Sequence, residues 1–286
     1  MNSIGVDIGA SHISCGLYNI KDDKLESKIY LLYKVDKNID INISTKYFIH
    51  VLIDLIDRLI RENNINIDKI TSIGIGCPGG IDRDNGIFLG SSSLNVKGIN
   101  LRKELRKYNA QIFVENDCTC AGICESYVNH INNFLMLNLG SDLGMAYMKN
   151  YKCIDQIIWD ISELNKNDVD KHDTYIRSFE NLSEKYNEYK QEKNERGEIF
   201  KCLKKGDTEA KLILEDYINN FIEGIIRINK NYNIKYFSIG GGMSEYSEYF
   251  INEIRESLPY LNIHIAKYKN DSGIIGAALL EKINKL

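Results

Sequence analysis

Three polar residues, Glu115, Asn116 and Asp117, stand where a predicted strand gives way to a predicted helix. The apolar run before them, residues 111–114, indicates a buried strand, and small residues follow at helical density. In open α/β sheets ligands bind at the carboxyl ends of strands, where a carboxylate can take a proton from a substrate. Asp117 is therefore a candidate general base. The simpler interpretation is a helix N-cap, because a short side-chain oxygen can bond the free amides of a first turn.

Two predicted hairpins join a strand end to glycine and hydroxyl residues. The first carries Asp7, Gly9 and Ser11, and the second carries Gly140 and Ser141. Backbone amides approach a ligand closely at glycine, and amides together with hydroxyls can cradle phosphate. Asp7 could also hold Mg²⁺, directly or through water, because this ion prefers carboxylate and water oxygens. Taken alone, each stretch is equally typical of an ordinary β-hairpin.

Two more glycine-rich stretches are candidates for ligand contact. A predicted strand at 235–239 leads through Gly241 and Gly242 into a predicted helix from about 245 to 257. That order of elements favours a phosphate or ribose at the helix N-terminus. Residues 74–82 contain four glycines and Pro78, which predicts a loop after a strand at 70–76. The backbone of this loop, at Gly79, either lines a pocket or serves as a structural turn.

The elements around these stretches alternate between strands and amphipathic helices. Apolar residues recur at intervals of three and four over 45–63 and over 208–229, which predicts two long helices with one buried face each. The segment at 134–148 repeats the outline of the N-terminal hairpin, so we expect two similar halves with a cleft between them. Residues 151–205 indicate only helices and loops with a solvated charged face.

Composition restricts the class of protein. The chain has 286 residues, of which 43% are hydrophobic and 27% charged, as in ordinary globular proteins. Its net charge of −4 provides no general attraction to nucleic acid or to anionic membranes. No apolar run approaches the ~20 residues that span a bilayer. We therefore expect a cytoplasmic protein with neither a nucleic-acid nor a membrane partner.

We expect no secretory leader, and the seven cysteines then predict free thiols, because an odd number argues against a disulfide framework. Cys118, Cys120 and Cys124 resemble a metal cluster at first sight. They fall on one predicted small-residue helix, however, and structural zinc sites prefer pairs of the Cys-x-x-Cys kind. Free cysteine also packs as a small hydrophobe. We expect packing here rather than zinc.

The order and spacing of these stretches resemble the sugar kinases of the ROK (repressor, open reading frame, kinase) family, glucokinases among them, which have an actin/hexokinase/Hsp70-like fold. Six segments carry the resemblance: residues 7–11 with 16–17, 74–79 with 82 and 85–86, 115–117 with the following helix, 140–141, 240–244 and 271–278. The resemblance implies an α/β, two-lobed actin-like ATPase (ribonuclease H-like) fold, with duplicated mixed sheets flanked by helices and a cleft between the lobes. The N-terminal lobe would span 1–115, closed by a C-terminal helix at 271–286, and the C-terminal lobe would span 116–270.

The resemblance also implies an activity, an ATP-dependent kinase acting on a hydroxyl of a hexose or an N-acetylated hexosamine. Asp117 would be the general base, Asn116 would bind a neighbouring hydroxyl, and Gly79 and Glu163 would contact the sugar. The partners would be the sugar and ATP with Mg²⁺, and a homodimer is the family-level expectation. The residues implied for ATP are Asp7, which would also act on Mg²⁺, Gly9, Ser11, Gly140, Ser141, Gly241 and Gly242.

The sequence departs from the family pattern at several positions. The Glu-x-Gly-His motif and the Cys-rich zinc loop are missing between 149 and 205, so no structural zinc is expected; Glu163 keeps the Glu position, and Lys166 stands in place of His. Asp142 stands where the second hairpin would have Gly, and a carboxylate repels a triphosphate unless a metal intervenes. Ser93 stands near the usual sugar-loop Asn. The alternative hypothesis is therefore a catalytically impaired ROK-like regulatory protein that binds a sugar or nucleotide.

Overall fold

The computed structural model describes residues 2–33, 36, 38–91, 93–155, 157–158 and 176–286. The chain divides into two compact units, Met1–Tyr127 with Asp271–Leu286, and Val128–Asn270. Each unit contains a five-stranded mixed sheet flanked by helices, so the predicted α/β class with a duplicated sheet is confirmed. None of the helices in the described part of the chain combines the length and apolar character needed to cross a membrane.

The sheet of the first unit has the strand order β3-β2-β1-β4-β8. Strands β1, β2 and β3 form an antiparallel meander, whereas β4 and β8 run parallel to β1, so the carboxyl ends of β1, β4 and β8 meet at one edge. A smaller antiparallel sheet has the order β5-β6-β7. The strands of this unit are β1 (Asn2–Ile8), β2 (His12–Asn19), β3 (Lys24–Leu32), β4 (Ile70–Cys77), β5 (Gly80–Asp82), β6 (Ile87–Ser91), β7 (Val96–Asn100) and β8 (Gln111–Asn116).

Helix α1 (Ile41–Glu62) covers the first sheet with the face that the sequence predicts. Its N-cap is Asp40, whose carboxylate accepts hydrogen bonds from the amides of Asn42 and Ile43. Burial of a large apolar side chain stabilises a fold by roughly 1.5–3 kcal/mol, so this face is a major part of the core. The buried apolar residues of α1 are Phe48, Val51, Leu52, Leu55, Ile56 and Leu59.

The remaining helices of the first unit are short. Helix α3 follows β8 directly, and α8 packs on β1 and β4. Two 3₁₀ turns, Ile67–Lys69 and Arg106–Tyr108, precede β4 and β8. The α-helices are α2 (Leu101–Glu104), α3 (Asp117–Asn129, which begins in this unit), α8 (Ser272–Ala278) and α9 (Leu280–Ile283), with a 3₁₀ turn at Lys269–Asp271 before α8.

The second unit repeats the arrangement of a hairpin followed by parallel strands, in the order β11-β10-β9-β12-β13. Strand β9 pairs antiparallel with β10 and parallel with β12, so the carboxyl ends of β9 and β12 lie side by side. The strands are β9 (Asn133–Leu139), β10 (Leu143–Lys149), β11 (Lys152–Cys153), β12 (Tyr236–Gly240) and β13 (Asn262–Ile265).

The long helix α6 supplies most of the helical core of the second unit. Asp207 caps it, accepting hydrogen bonds from the amides of Glu209 and Ala210, and its buried face follows the predicted spacing. The described helices are α4 (Phe179–Lys190), α5 (Glu198–Lys204), α6 (Thr208–Tyr232) and α7 (Ile251–Ser257), with a 3₁₀ helix at Gly242–Tyr249.

Two expectations about local structure are wrong. The strand expected at 70–76 is present as β4, but the loop expected from residue 74 begins only after Cys77, because the glycines of β4 permit close packing: a β-carbon on Gly74 would lie 1.8 Å from the carbonyl oxygen of Ala277. The single helix expected from about 245 to 257 is instead the 3₁₀ helix followed by α7, with a break at Phe250.

Candidate active site

The predicted residues of the first unit gather at the carboxyl edge of its sheet. Asp7 on β1 is the cross-strand partner of Gly76 on β4, and a β-carbon on Gly76 would lie 3.2 Å from the Cα of Asp117. Asp117 therefore packs over the strand next to Asp7. The structure brings these two carboxylates into one neighbourhood, as parallel strands predict for the residues that follow them.

Helix α8 completes the surroundings of Asp7. A β-carbon on Gly273 would lie 2.5–2.7 Å from the carboxyl atoms of Asp7, so the helix backbone contacts that carboxylate directly. The carboxylate of Asp271, just before α8, binds the Nζ of Lys28 at 2.7 and 2.8 Å. The ion pair ties the start of α8 to strand β3.

Burial raises the pKa of Asp7 from 3.8 to about 8, and the neighbouring carboxylates of Asp117 and Asp271 add to the increase. A group with this pKa binds a proton or a cation readily, because either one relieves the repulsion among the three carboxylates. The electrostatics at this point of the sheet therefore favour a cation.

The junction between β8 and α3 orients Asn116 and Asp117 differently. The Oδ1 of Asn116 accepts hydrogen bonds from the amides of Cys118 and Thr119, at 3.0 and 3.2 Å, so Asn116 has the capping role. Its Nδ2 makes a long 3.5 Å contact with the carbonyl oxygen of Cys77. Asp117 is the first helical residue, and its Oδ1 accepts from the amide of Cys118 at 2.9 Å.

An ion pair between the buried carboxylate of Glu115 and the partly exposed side chain of Arg83 also fixes this junction. Glu115 is 11% exposed, and its Oε2 accepts a hydrogen bond from the Nε of Arg83 at 2.6 Å. Its Oε1 accepts from the amide of Asn116 at 2.7 Å. One carboxylate oxygen thus binds the backbone that leads into Asp117, and the other binds the side chain of Arg83. Arg83, in the turn after β5, has no motif around it in the sequence, so residue spacing does not single it out.

The loop with Pro78 and Gly79 is shorter than predicted but is tightly constrained. Gly79 has φ +99°, and a β-carbon there would lie 2.6 Å from the carbonyl oxygen of Gly90. Only glycine fits both conditions. Close by, at the end of β6, the Oγ atoms of Ser91 and Ser93 are hydrogen-bonded at 2.7 Å.

The first hairpin turn is compact. The amide of Gly9 donates to the carbonyl oxygen of His12 at 2.9 Å, and the carbonyl oxygen of Ser11 accepts from the amide of Tyr33. The imidazole of His12 lies against Gly9 and stacks on Tyr30 with 5.1 Å between ring centroids. The turn carrying Gly9 and Ser11 therefore has a fixed shape.

The second unit brings its predicted residues together in the same way. The turn with Gly140 and Ser141 follows β9, and the glycines 241 and 242 follow the neighbouring strand β12. Gly241 has φ +77°, and a β-carbon there would lie 2.7 Å from the carbonyl oxygen of Leu139. The amide of Gly140 donates to the carbonyl oxygen of Asp142 at 3.2 Å.

A cation that the sequence did not single out stands at this second turn. The Nη1 of Arg196 donates to the Oγ of Ser141 at 3.0 Å, and its Nε lies 3.0 Å from the Oε2 of Glu180. The amide of Glu180 in turn donates to the carbonyl oxygen of Gly140 at 3.2 Å. Residues 192–198 are mostly charged, so nothing in their pattern distinguishes Arg196 from its neighbours.

The cysteines near Asp117 are buried and unpaired by disulfides. Burial and nearby carboxylates raise the pKa of the Cys77 and Cys120 thiols well above the usual value, which keeps both protonated. Within the described ranges, no group of three His, Cys, Asp or Glu side chains is arranged to hold a metal ion. Mg²⁺ typically takes only one or two protein carboxylates, so Asp7 alone can serve it. Glu163, the predicted sugar ligand, lies outside the described residues.

The α/β fold, with candidate residues at the carboxyl edge of each five-stranded sheet, is that of a sugar-kinase-like protein. The family model described as ROK family matches residues 3–155 and 175–283. This chain belongs to the ROK family.

Its curated relatives include both repressors and kinases. It is 20% identical over 322 residues to the xylose repressor of Caldicellulosiruptor bescii, covering 96% of this chain and 76% of the repressor. It is 23% identical to the N-acetyl-D-glucosamine kinase of Aliivibrio fischeri, covering 96% of this chain and 98% of the kinase. It is 24% identical to the glucokinase of Thermotoga maritima, covering 98% of this chain and 96% of the enzyme.

Solved structures agree on the fold. A ROK family protein from Streptococcus pneumoniae in complex with sucrose matches with a TM-score of 0.78 at 18% identity, over 100% of both chains. A ROK family glucokinase from Streptomyces griseus in complex with glucose and AMPPNP matches with a TM-score of 0.73 at 16% identity, over 98% of this chain and 99% of that one. At such identities the likeness establishes the fold, and activity has to be argued from the residues.

Proposed function

We propose that the protein is an ATP-dependent sugar kinase that phosphorylates a hydroxyl of a hexose or an N-acetylated hexosamine. The observation that carries the proposal is the position of Asp117, at the start of α3 and beside Asp7 at the carboxyl edge of the first sheet. Family membership and relatives named as kinases support it.

The acceptor side of the reaction is assigned to the first unit. Asp117 accepts the proton of the sugar hydroxyl while the hydroxyl oxygen forms a bond to the terminal phosphorus of ATP. The bond from that phosphorus to the bridging oxygen breaks, and ADP leaves. A positioned base contributes typically ~10²–10⁴-fold to such a step. Asn116 binds a neighbouring hydroxyl through its amide N–H groups, because its oxygen is used in capping α3.

The donor side is assigned to both hairpin turns and to the glycines after β12. Phosphoryl transfer needs an aligned nucleophile and cations over the phosphates more than covalent help from the protein. The turn with Gly9 and Ser11 and the turn with Gly140 and Ser141 offer hydroxyl groups to phosphate, whereas the amides of Gly9 and Gly140 are bonded within their own turns. The backbone at Gly241 and Gly242 is assigned to the nucleoside; Gly241 has φ +77° and lies against the carbonyl oxygen of Leu139, so its conformation requires glycine.

Mg²⁺ fits the residues beside Asp7, where burial and two further carboxylates raise the pKa of the Asp7 carboxyl group to about 8. Asp7 would hold the ion directly or through water. When bound, the ion neutralises charge on the donor phosphates. Asp7 would orient the ion, and its carboxylate lies against the backbone of Gly273.

A coupled assay of ADP release tests the proposal. The protein is incubated with ATP, Mg²⁺ and single sugars from a panel of hexoses and N-acetylated hexosamines, with Asp117→Asn in parallel. We expect turnover on at least one sugar and a loss of at least ~100-fold in kcat for the variant. Unchanged turnover in Asp117→Asn would rule out its role as the base.

A second candidate function is a regulatory protein that binds a sugar or nucleotide without turnover. It is favoured by the second hairpin turn, where the amide of Gly140 is used by the carbonyl oxygen of Asp142 and the side chain of Asp142 is exposed. A relative named as a repressor supports it. It predicts that sugars raise the melting temperature while no phosphorylated product forms. Detection of a sugar phosphate would exclude it.

A further inference from the structure

The second hairpin turn carries an arginine in addition to the residues that its sequence suggests. The Nη1 of Arg196 donates a hydrogen bond to the Oγ of Ser141 at 3.0 Å, and the Arg196 side chain is 31% exposed. A guanidinium group has donors on both edges of its plane. Arg196 therefore contacts the turn and still reaches solvent.

The position of Arg196 is held by several groups. Its Nε lies 3.0 Å from the Oε2 of Glu180, and the amide of Glu180 donates to the carbonyl oxygen of Gly140. The next residue, Gly197, packs against the ring of Tyr246, where a β-carbon would lie 2.4 Å from the hydroxyl oxygen. Tyr246 belongs to the 3₁₀ helix that begins at Gly242. The arginine is thereby connected to both glycine stretches of the second unit.

The hydrogen bond from Arg196 determines what Ser141 can do. A hydroxyl group that accepts a hydrogen bond keeps its own hydrogen for donation, and a cationic donor strengthens that second bond. Ser141 is thus prepared to donate to an acceptor, and an anionic oxygen is the acceptor that a neighbouring guanidinium favours. The amide of Gly140 is already used within the turn, so the side chains have to supply most of the binding.

The charges around the turn also affect whether it can bind a phosphate group. Asp142 and Glu180 are both acidic, and carboxylates alone would repel a phosphate. Arg196 offsets the charge of Glu180, with which it is paired, and places a cationic donor directly at Ser141. We infer that Arg196, together with the hydroxyl of Ser141, binds a phosphate group of the nucleotide donor. The inference rests on the proposed function and adds a residue to its donor side: Arg196 would recognise the nucleotide by a phosphate group.

Calorimetric titration with ADP and with adenosine tests the inference on the full chain in the presence of Mg²⁺. The variants are Arg196→Gln, which removes the charge, and Arg196→Lys, which keeps the charge without the planar donors. Lys193→Gln is the matched control, because it removes an exposed positive charge three residues away. Thermal melting of each variant checks that it is folded.

We expect Arg196→Gln to weaken ADP binding by about 10–100-fold, the usual range for a hydrogen bond to a charged group, and to leave adenosine binding unchanged. Arg196→Lys should fall between Arg196→Gln and wild type, and Lys193→Gln should match wild type. Unchanged ADP affinity in Arg196→Gln would overturn the inference while leaving the proposed kinase intact. Equal weakening of ADP and adenosine would also overturn it, because Arg196 would then only support the fold. If the wild-type protein bound neither ADP nor adenosine, the proposed nucleotide-binding role of the protein would be wrong, and the inference about Arg196 would be wrong with it.

Discussion

The backbone of Gly273 lies directly against the carboxylate of Asp7, leaving no room for a side chain at that point of α8. A methyl group at position 273 would come within 2.5 Å of the Cγ of Asp7. Helix α8 is packed on β1 and β4, so the carboxylate has to give way rather than the helix. The shape of the proposed cation site thus depends on a residue that carries no functional group.

Gly273→Ala should therefore lower kcat by at least about 10-fold through displacement of Asp7, since misplacement by about 1 Å can cost ~10²-fold. Ser272→Ala, at the preceding position of the same helix, is the control, because it removes only one buried oxygen atom. Steady-state kinetics of both variants provide the measurement. Equal activity of the two variants would mean that Asp7 tolerates the displacement.

Asp7→Asn should abolish turnover and yet stabilise the protein in the absence of divalent cations. The folded-state pKa of Asp7 is raised from 3.8 to about 8, so the folded protein must keep a proton that the unfolded chain releases. The resulting loss in the free energy of unfolding begins above about pH 4 and grows until about pH 8. Melting temperatures should therefore favour the variant increasingly over this range, with a gain of ~2 °C or more at neutral pH. Asp142→Asn, an exposed change, is the control, and a lower melting temperature for Asp7→Asn would contradict the argument.

Arg83→Met should destabilise the protein by about 1–3 kcal/mol, because Glu115 is then left without its charged partner. The pair is joined at 2.6 Å, and Glu115 is 11% exposed. Denaturant unfolding provides the free energy. Arg58→Met is a suitable control, since Arg58 is in a surface i,i+4 pair with Glu62 that contributes little. Comparable losses in the two variants would show that the Arg83 pair has no special role.

Asp207 should contribute stability that disappears in acid. Hydrogen bonding from Lys190, and then from the amide of Ala210, lowers its pKa from 3.8 to about 2. The contribution is present above about pH 4 and is lost as the pH falls towards 2. Asp207→Asn keeps a good N-cap for α6, so it tests the charge alone. Its melting temperature should be lower than wild type at pH 7, with the difference narrowing below pH 4; a constant difference would assign the effect to capping instead.

Local signals predicted much of the fold. The apolar periodicity of α1 and α6 identified their buried faces, and the strand–glycine junctions identified both edges at which the candidate residues gather. Glycine was ambiguous where it served packing, as at Gly74, because a sequence does not show which backbone approaches it. The 3₁₀ conformation at Gly242–Tyr249 was missed for a similar reason, since its residues form no distinct pattern.

The candidate site could be predicted where a residue with a reactive side chain stands at the carboxyl end of a predicted strand. Asp7 and Asp117 could be proposed to lie near one another because parallel strands end at a common edge. The contacts of Arg83 and Arg196 could not be predicted, because their partners are distant in the chain. Glu115 lies 32 positions from Arg83, and Ser141 lies 55 positions from Arg196. Long charged side chains have many available partners, and only the folded structure selects among them.

The central claim, that Asp117 is the base of a sugar kinase, is tested most directly by measuring product. Wild type and Asp117→Asn are each incubated with ATP, Mg²⁺ and the sugar panel, and sugar phosphate is determined by mass spectrometry alongside ADP. We expect wild type to form equal amounts of ADP and sugar phosphate on at least one sugar. Asp117→Asn should form sugar phosphate at least ~100-fold more slowly. Sugar phosphate formed at the same rate by both proteins, or by neither, would contradict it.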